Sequence, residues 1–224
     1  MLYSIQTGQP AFAHLFGMGP FAYFAQHPEA DRIFNEAMIG YTHQVANAVV
    51  NSYDFSSFNT VVDVGGGYGT LLAAILRSNP AAQGILFDLS HVIAAAKPFL
   101  LTTGIAERCM CIDGDFFAAI PPGGDAYILS QILHDWEDEQ CIAILTQCRR
   151  SIAKQGKLLV VELVIPPGNE PFSGKWLDLH MLAIPGGRER TEEEYKTLFR
   201  KTGFALTRVV PTPTGPSVVE AVTI

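Results

Sequence analysis

A chain of 224 residues, 48% hydrophobic and only 17% charged, can bury one large core and suits a single domain with a helical extension. A net charge of −7 without any basic tract excludes a nucleic-acid backbone as substrate, because phosphate binding needs clustered Lys and Arg. No apolar run is long enough to span a membrane, and the N-terminus has neither a basic start nor an apolar signal core, so a cytoplasmic setting and a small substrate are expected.

Ala11 to Gln26 holds Phe12, Phe16, Phe21, Tyr23 and Phe24 and is broken by Gly17, Gly19 and Pro20, which predicts short helices with an aromatic face. That face either packs on the neighbouring core or walls off an aromatic substrate. From Pro28, a favourable first helical residue, Ile33, Phe34, Ala37, Met38, Tyr41, Val45, Ala48 and Val49 recur at helical spacing and predict one long or broken helix ending between Asn51 and Phe58. After Asn59, predicted strands at 60–64, 84–87, 109–112, 126–129 and 157–163 alternate with predicted helices at 70–78, 92–103 and 139–153. Such alternation implies a parallel, doubly wound sheet. The pattern then changes: a helix at 192–202 is followed by two strands, 205–211 and 217–222, joined by Pro-Thr-Gly-Pro, an antiparallel hairpin at the sheet edge. The chain therefore divides into a helical segment, 1–58, and an α/β core, 59–224.

Within the core, Val61 to Thr70 reads V-V-D-V-G-G-G-Y-G-T, a buried strand running into Gly65, Gly67 and Gly69 and then a helix. Alternate glycines let backbone N–H groups approach a ligand lying at the helix N-terminus. A dinucleotide fingerprint needs glycine where Thr70 stands; D-x-G-x-G-x-G from Asp63 instead resembles the first motif of S-adenosylmethionine (SAM) methyltransferases. Asp88 closes the second strand, where an acid can accept both hydroxyls of a ribose. After the third strand comes Gly114-Asp115-Phe116-Phe117, in which Asp115 either accepts from an adenine amino group beside Phe116 or caps its own turn. The fourth strand leads into Ser130-Gln131-Ile132-Leu133-His134-Asp135-Trp136 and so puts His134 at the carboxyl edge of the sheet, where ligands of open α/β sheets bind. Asp135 and Trp136 are read as the cap and anchor of the helix starting near Asp138. The four cysteines, two in a strand and two on a helix, read as apolar packing in a reducing compartment.

Taken as a set, the glycine turn, F-D-L, G-D-F-F, L-H-D-W, V-V-E-L-V-I-P and Gly186 to Thr191 resemble the small-molecule SAM-dependent O-methyltransferases of the hydroxyindole and caffeate type, over essentially the whole chain. The resemblance implies a Rossmann-like class I methyltransferase sheet, mostly parallel with a C-terminal antiparallel hairpin and an N-terminal helical segment. It implies that Gly65, Gly67, Asp88, Leu89, Gly114, Asp115, Phe116 and Gln131 hold SAM, and that His134 is the general base, flanked and oriented by Glu162 and Glu189. Met38 and Met181 match positions lining the acceptor pocket. Four residues before His134, a lysine in the caffeate branch is Ser130 here, and three before, an arginine in the hydroxyindole branch is Gln131.

The expected reaction is methyl transfer to the hydroxyl of a small phenolic, indolic or polyketide-like acceptor. A phenol near pKa 10 gives its proton to an ordinary imidazole near 6.5 only uphill by about 5 kcal/mol, so His134 is expected to take the proton as the methyl moves. No metal is expected: Asp178 and His180 read as helical and share no face, and magnesium prefers oxygen ligands. The resemblance implies an N-terminal helical dimerisation domain that these residues do not include, so weak or altered homodimerisation is expected, and with it the alternative of a SAM-binding homologue that no longer methylates. Thr70 and the terminal hairpin disfavour a nicotinamide-dependent oxidoreductase.

Overall fold

A computed structural model describes residues 1–224, apart from the side chains of Asp31, Asn35 and Glu36. Four helices come first: α1 (Leu2–Thr7), α2 (Ala11–Phe16), α3 (Pro20–Gln26) and the long α4 (Pro28–Ser52). The core then runs β1 (Thr60–Val64), α5 (Thr70–Ser78), β2 (Gln83–Asp88), α6 (Ser90–Thr103), β3 (Cys109–Asp113), β4 (Ala126–Ser130), α7 (Asp138–Ser151) and β5 (Lys157–Glu162). It closes with β6 (Val164–Ile165), α8 (Ser173–Ala183), β7 (Arg190–Thr191), α9 (Glu192–Lys201), β8 (Phe204–Pro211) and β9 (Ser217–Thr223).

Seven of these strands form one sheet in the order β3-β2-β1-β4-β5-β9-β8. The first five are parallel, and β9 and β8 are antiparallel, the hairpin that the sequence predicts. The strand residues explain the two-sided burial. Alternate positions face opposite layers, so Val61, Ile128, Leu159 and Val161 pack with α4, α5 and α6, while Val62, Val64, Tyr127 and Val160 pack with α7 and α9. A sheet covered on both faces needs near-continuous apolar strands, and β1, β4 and β5 have them. Cys141 and Cys148 lie in the second of these layers, and burial pushes their thiols up to about 12.

The predicted bounds differ in three informative places. A helix stands at Leu2–Thr7 where none was expected, closed by left-handed Gly8 at φ 70°. β5 stops at Glu162 rather than Leu163, and beyond Leu163 the chain leaves the sheet to pair with β7, Val164 opposite Arg190 and Ile165 opposite Thr191. A turn of 3-10 helix, Leu133–Asp135, separates β4 from α7.

One polar cluster ties the helical segment to the core. Glu220 on β9 accepts from the Tyr53 hydroxyl at the end of α4, from Lys157 Nζ at 3.0 Å, Arg208 Nη2 at 2.9 Å and Thr207 Oγ1 at 2.7 Å. The register shift between Leu206 and Arg208 turns the Thr207 hydroxyl toward it. Among the described residues no helix is long and apolar enough to cross a membrane.

Candidate active site

The carboxyl ends of β1, β2, β3, β4 and β5 deliver the site. At β1, Gly65, Gly67 and Gly69 take φ of 69°, 59° and 80°, the left-handed region that only glycine enters cheaply. A Cβ on Gly65 would stand 2.6 Å from Ile132 Cδ1 and 3.5 Å from Phe116 Cε1, so the turn is shaped by its neighbours as well as by its own backbone. At β2, Asp88 Oδ2 accepts from Gly67 N at 2.8 Å and Oδ1 from Leu89 N at 2.7 Å; the carboxylate thus closes the glycine turn. Burial pushes its pKa up, against those two hydrogen bonds. Leu89 leaves its side chain exposed beside them.

Beneath the turn lies Asp63, fully buried, with no hydrogen-bond partner for either oxygen among the described residues. Burial, and then the charge of Asp88, raise its pKa to about 7. At β3, Gly114 leaves no room for a side chain, since a Cβ there would meet Phe87 at 2.7 Å. Asp115 caps its own turn, Oδ1 accepting from Phe117 N at 2.8 Å, which is one of the two readings the sequence left open.

His134 occupies the 3-10 turn after β4. It is 7% exposed, with Nδ1 2.9 Å from Glu189 Oε1 and Nε2 3.6 Å from Asp135 Oδ1. Burial alone would lower its pKa, but the Glu189 hydrogen bond and the charges of Glu162, Asp135 and Glu189 outweigh it and raise the imidazole to about 9. Asp135 is itself pushed up to about 6, by burial first. Glu189, on the segment between α8 and β7, is fixed by its own N–H, which donates to Asp178 Oδ1 at 2.9 Å; its Oε2 is buried without a partner among the described residues.

Glu189 thus bonds the imidazole directly, and Glu162 does not touch it. Glu162 Oε1 accepts from the backbone N–H of Ile132 at 3.0 Å and of His134 at 3.1 Å, while Oε2 takes the Tyr195 hydroxyl at 2.5 Å. It holds the chain that carries His134 rather than the ring. Asp135 and Trp136 also depart from expectation. The residue at the α7 cap is Glu137, without a side-chain bond, and Trp136 packs edge-on to Phe117 at 5.0 Å and Phe116 at 6.3 Å. Gln131 adopts φ 57°, and both its backbone N–H and its side-chain amide donate to Val161 O, at 3.1 and 3.0 Å. The amide nitrogen expected at the cofactor is thus spent on β5.

Met181 is buried on α8 and Met38 half-buried on α4. Tyr41, one helical turn beyond Met38, comes near enough to Glu189 for that charge, after burial, to raise its hydroxyl pKa. Tyr195, Arg190 and Tyr41 were not singled out by the sequence. A fully charged, fully buried arginine beside the Gly-Gly-Arg-Glu run is a signal that only burial reveals. No three His, Cys, Asp or Glu side chains among the described residues gather as a metal site.

The model of the O-methyltransferase domain family matches residues 3–205. The phenazine O-methyltransferase PhzM of Lysobacter antibioticus is 59% identical over 221 residues, 99% of this chain and 65% of that protein. A crystal structure of LaPhzM, 59% identical, superposes on all of this chain, and on 67% of that one, with a TM-score of 0.96. An O-methyltransferase from neocarzinostatin biosynthesis, solved with SAM and 2-hydroxy-5-methyl naphthoic acid, is 33% identical and superposes on all of this chain and 66% of its own, with a TM-score of 0.91. The chain thus spans about two thirds of the length of the proteins it resembles.

Proposed function

Since this chain belongs to the O-methyltransferase domain family, we propose that it moves a methyl group from SAM to the hydroxyl of a small aromatic acceptor, with His134 as general base. The observation that carries the reading is the His134 ring: Nδ1 fixed by a buried carboxylate, Nε2 held only by the longer 3.6 Å ion-pair distance to Asp135, on the sheet edge that also presents the glycine turn. The left-handed glycines at 65 and 67, with the Asp88 carboxylate and the Phe116 ring beside them, support an adenosyl group at this turn. When bound, SAM supplies a methyl group already activated by its sulfonium. Gly65, Gly67, Asp88, Leu89, Gly114, Asp115 and Phe116 are the residues we assign to holding it, with Gln131 shaping the wall through Val161.

The rest falls to the protein. Placing an acceptor oxygen in line and removing its proton supply much of the rate of such a transfer. A base raised to about 9 sits about one unit below a phenol near 10, so the proton moves uphill by about 1.4 kcal/mol instead of about 5. The cost is that most His134 rings carry a proton at neutral pH. The stronger base eases proton removal, while only its small neutral fraction is competent near pH 7, so the rate should climb as the ring loses its proton. Glu189 stabilises the imidazolium as it forms. Met38 and Met181 are the walls we assign to the acceptor, and residues 1–58 border its pocket.

The relative at 59% identity is named for phenazines, so a hydroxylated phenazine is the first acceptor to try. The test is a methyl-transfer screen over hydroxyphenazines, hydroxybenzoates and naphthoates with labelled SAM, run beside calorimetry with SAM and S-adenosylhomocysteine. Transfer to a ring hydroxyl is the expected result. Cofactor binding with no transfer to any phenol would instead identify a SAM-binding homologue, and no cofactor binding would overturn both.

A further inference from the structure

The five residues 132–136 form less than two turns of regular structure, yet they carry His134. Their own hydrogen bonds are long, Asp135 N to Ile132 O and Trp136 N to Leu133 O, each 3.2 Å. What fixes them comes from outside. Glu162 accepts two of the N–H groups, and Arg188 N donates to the His134 carbonyl at 2.8 Å. Two carbonyls are held by Arg190, whose Nη1 donates to Leu133 O and Nη2 to Trp136 O, both at 2.9 Å.

Arg190 is 0% exposed, among the largest fully buried side chains of the molecule. It lies in neither apolar layer and makes its hydrogen bonds to the turn, to Arg188 O, to Cys141 Sγ and to Asp138 Oδ1 at 3.0 Å. A rigid planar fork suits this task and an ammonium does not: its two terminal nitrogens reach carbonyls on either side of His134 and Asp135 at once. Gly187 also presses so close that a Cβ would stand 1.9 Å from the His134 carbonyl oxygen. The turn is thus gripped by a carboxylate on its N–H groups, a guanidinium on its C=O groups and a glycine backbone against it. Burying a guanidinium costs solvation that hydrophobic side chains of equal volume would not.

We propose that Arg190 is the positioning residue of the proton-transfer step, fixing the Leu133–Trp136 turn so that the His134 ring stays on Glu189 and offers Nε2 to the acceptor. The proposal rests on His134 being the base, and its test has a readout that does not need turnover.

The variants are Arg190→Met and Arg190→Lys, each followed by melting temperature, calorimetry with S-adenosylhomocysteine, the His134 titration by nitrogen-15 NMR, and methyl transfer to a hydroxyphenazine. The groups that face the ring are Glu189, Asp135 and Glu162, with Tyr41 of α4 beyond Glu189, and none of them is altered. Arg190→Met is expected to keep cofactor affinity within about twofold, to lower the His134 pKa by about one unit or more as the Glu189 bond loosens, and to lower kcat about 10²-fold at little change in KM, the penalty for misplacing a reacting group by about 1 Å. Arg190→Lys should recover part of both losses. A folded Arg190→Met protein with the wild-type titration overturns the proposal.

Should Arg190→Met not fold, Arg190→Lys and Asp138→Asn decide. Asp138 is partly exposed, and neutralising it weakens the guanidinium's ion pair, along with that of Arg188, without emptying a cavity. Both variants are then expected to shift the His134 titration downward, and wild-type titration in both overturns the proposal. If the wild-type protein methylates none of the phenols, the reading of function fails, while the titration still decides the role of Arg190.

Discussion

His134 concentrates the chemistry in one ring, and its surroundings set a pH dependence whose sign is definite. As a base it must be neutral, so kcat/KM should rise with pH to a limb near 9, where the free protein's imidazole titrates. A rate profile already flat from pH 6.5 upward would show that another group takes the proton. The same shift makes a stability prediction of the opposite direction. A raised folded-state pKa means that the folded protein binds this proton more tightly, so the contribution is complete below the ordinary 6.5 and is lost as pH rises through 9. The melting temperature should therefore fall between pH 6.5 and 9 in the wild type and less so in His134→Ala. That variant should also lose about 10²-fold or more in turnover with SAM affinity nearly unchanged, as measured by calorimetry.

Elements bring the site together, and here the sequence was partly legible. Glycine spacing, the apolar runs and the acid ending β2 follow local rules, so the parallel sheet with its terminal antiparallel hairpin, the glycine turn and the placing of His134 after β4 could be read directly, although the strand order could not. Glu162 illustrates the limit. Its residue type and position match an acid expected beside the histidine, but whether a carboxylate meets a ring or a backbone depends on a 3-10 turn and on Tyr195 from α9, some thirty residues away. Gln131 fails to be legible for a similar reason, because its left-handed φ of 57° turns the amide back to β5. Asp135 was assigned by helix-capping rules, and the turn aims it at Nε2 instead. Such three-body arrangements leave no mark in spacing. They do leave a testable trace: Tyr195→Phe removes only the hydroxyl on Glu162 and should cost about 1–3 kcal/mol of stability by leaving a buried carboxylate oxygen unpaired, seen as a lowered denaturation midpoint. An unchanged midpoint would mean that water replaces the hydroxyl.

Across the whole molecule, the helical segment is joined to the sheet by Glu220, which Tyr53, Lys157, Arg208 and Thr207 all reach. Its pKa is held down to about 2, since these hydrogen bonds overcome the cost of burial. A lowered folded-state pKa gives stability that is complete above the ordinary carboxylate range and is lost as pH falls toward 2. Glu220→Ala should therefore cost about 2 kcal/mol near neutrality in urea unfolding and flatten the acid limb, whereas a wild-type midpoint would show the cluster to be ornamental. The same segment exposes Leu2, Ile5, Leu15, Phe16, Phe21 and Phe34, and we expect weak self-association through them: light scattering should give a mass that rises with concentration, and a constant monomer or a tight dimer would both contradict this. Glu220 and His134 also lie on different parts of the molecule and share no partner. Changes at distant, unconnected sites add within about 0.5 kcal/mol. The protein can therefore be hardened at the Glu220 end by mutation without retuning its base, so an engineer of new acceptor preferences has a separate place from which to draw the stability that such changes consume.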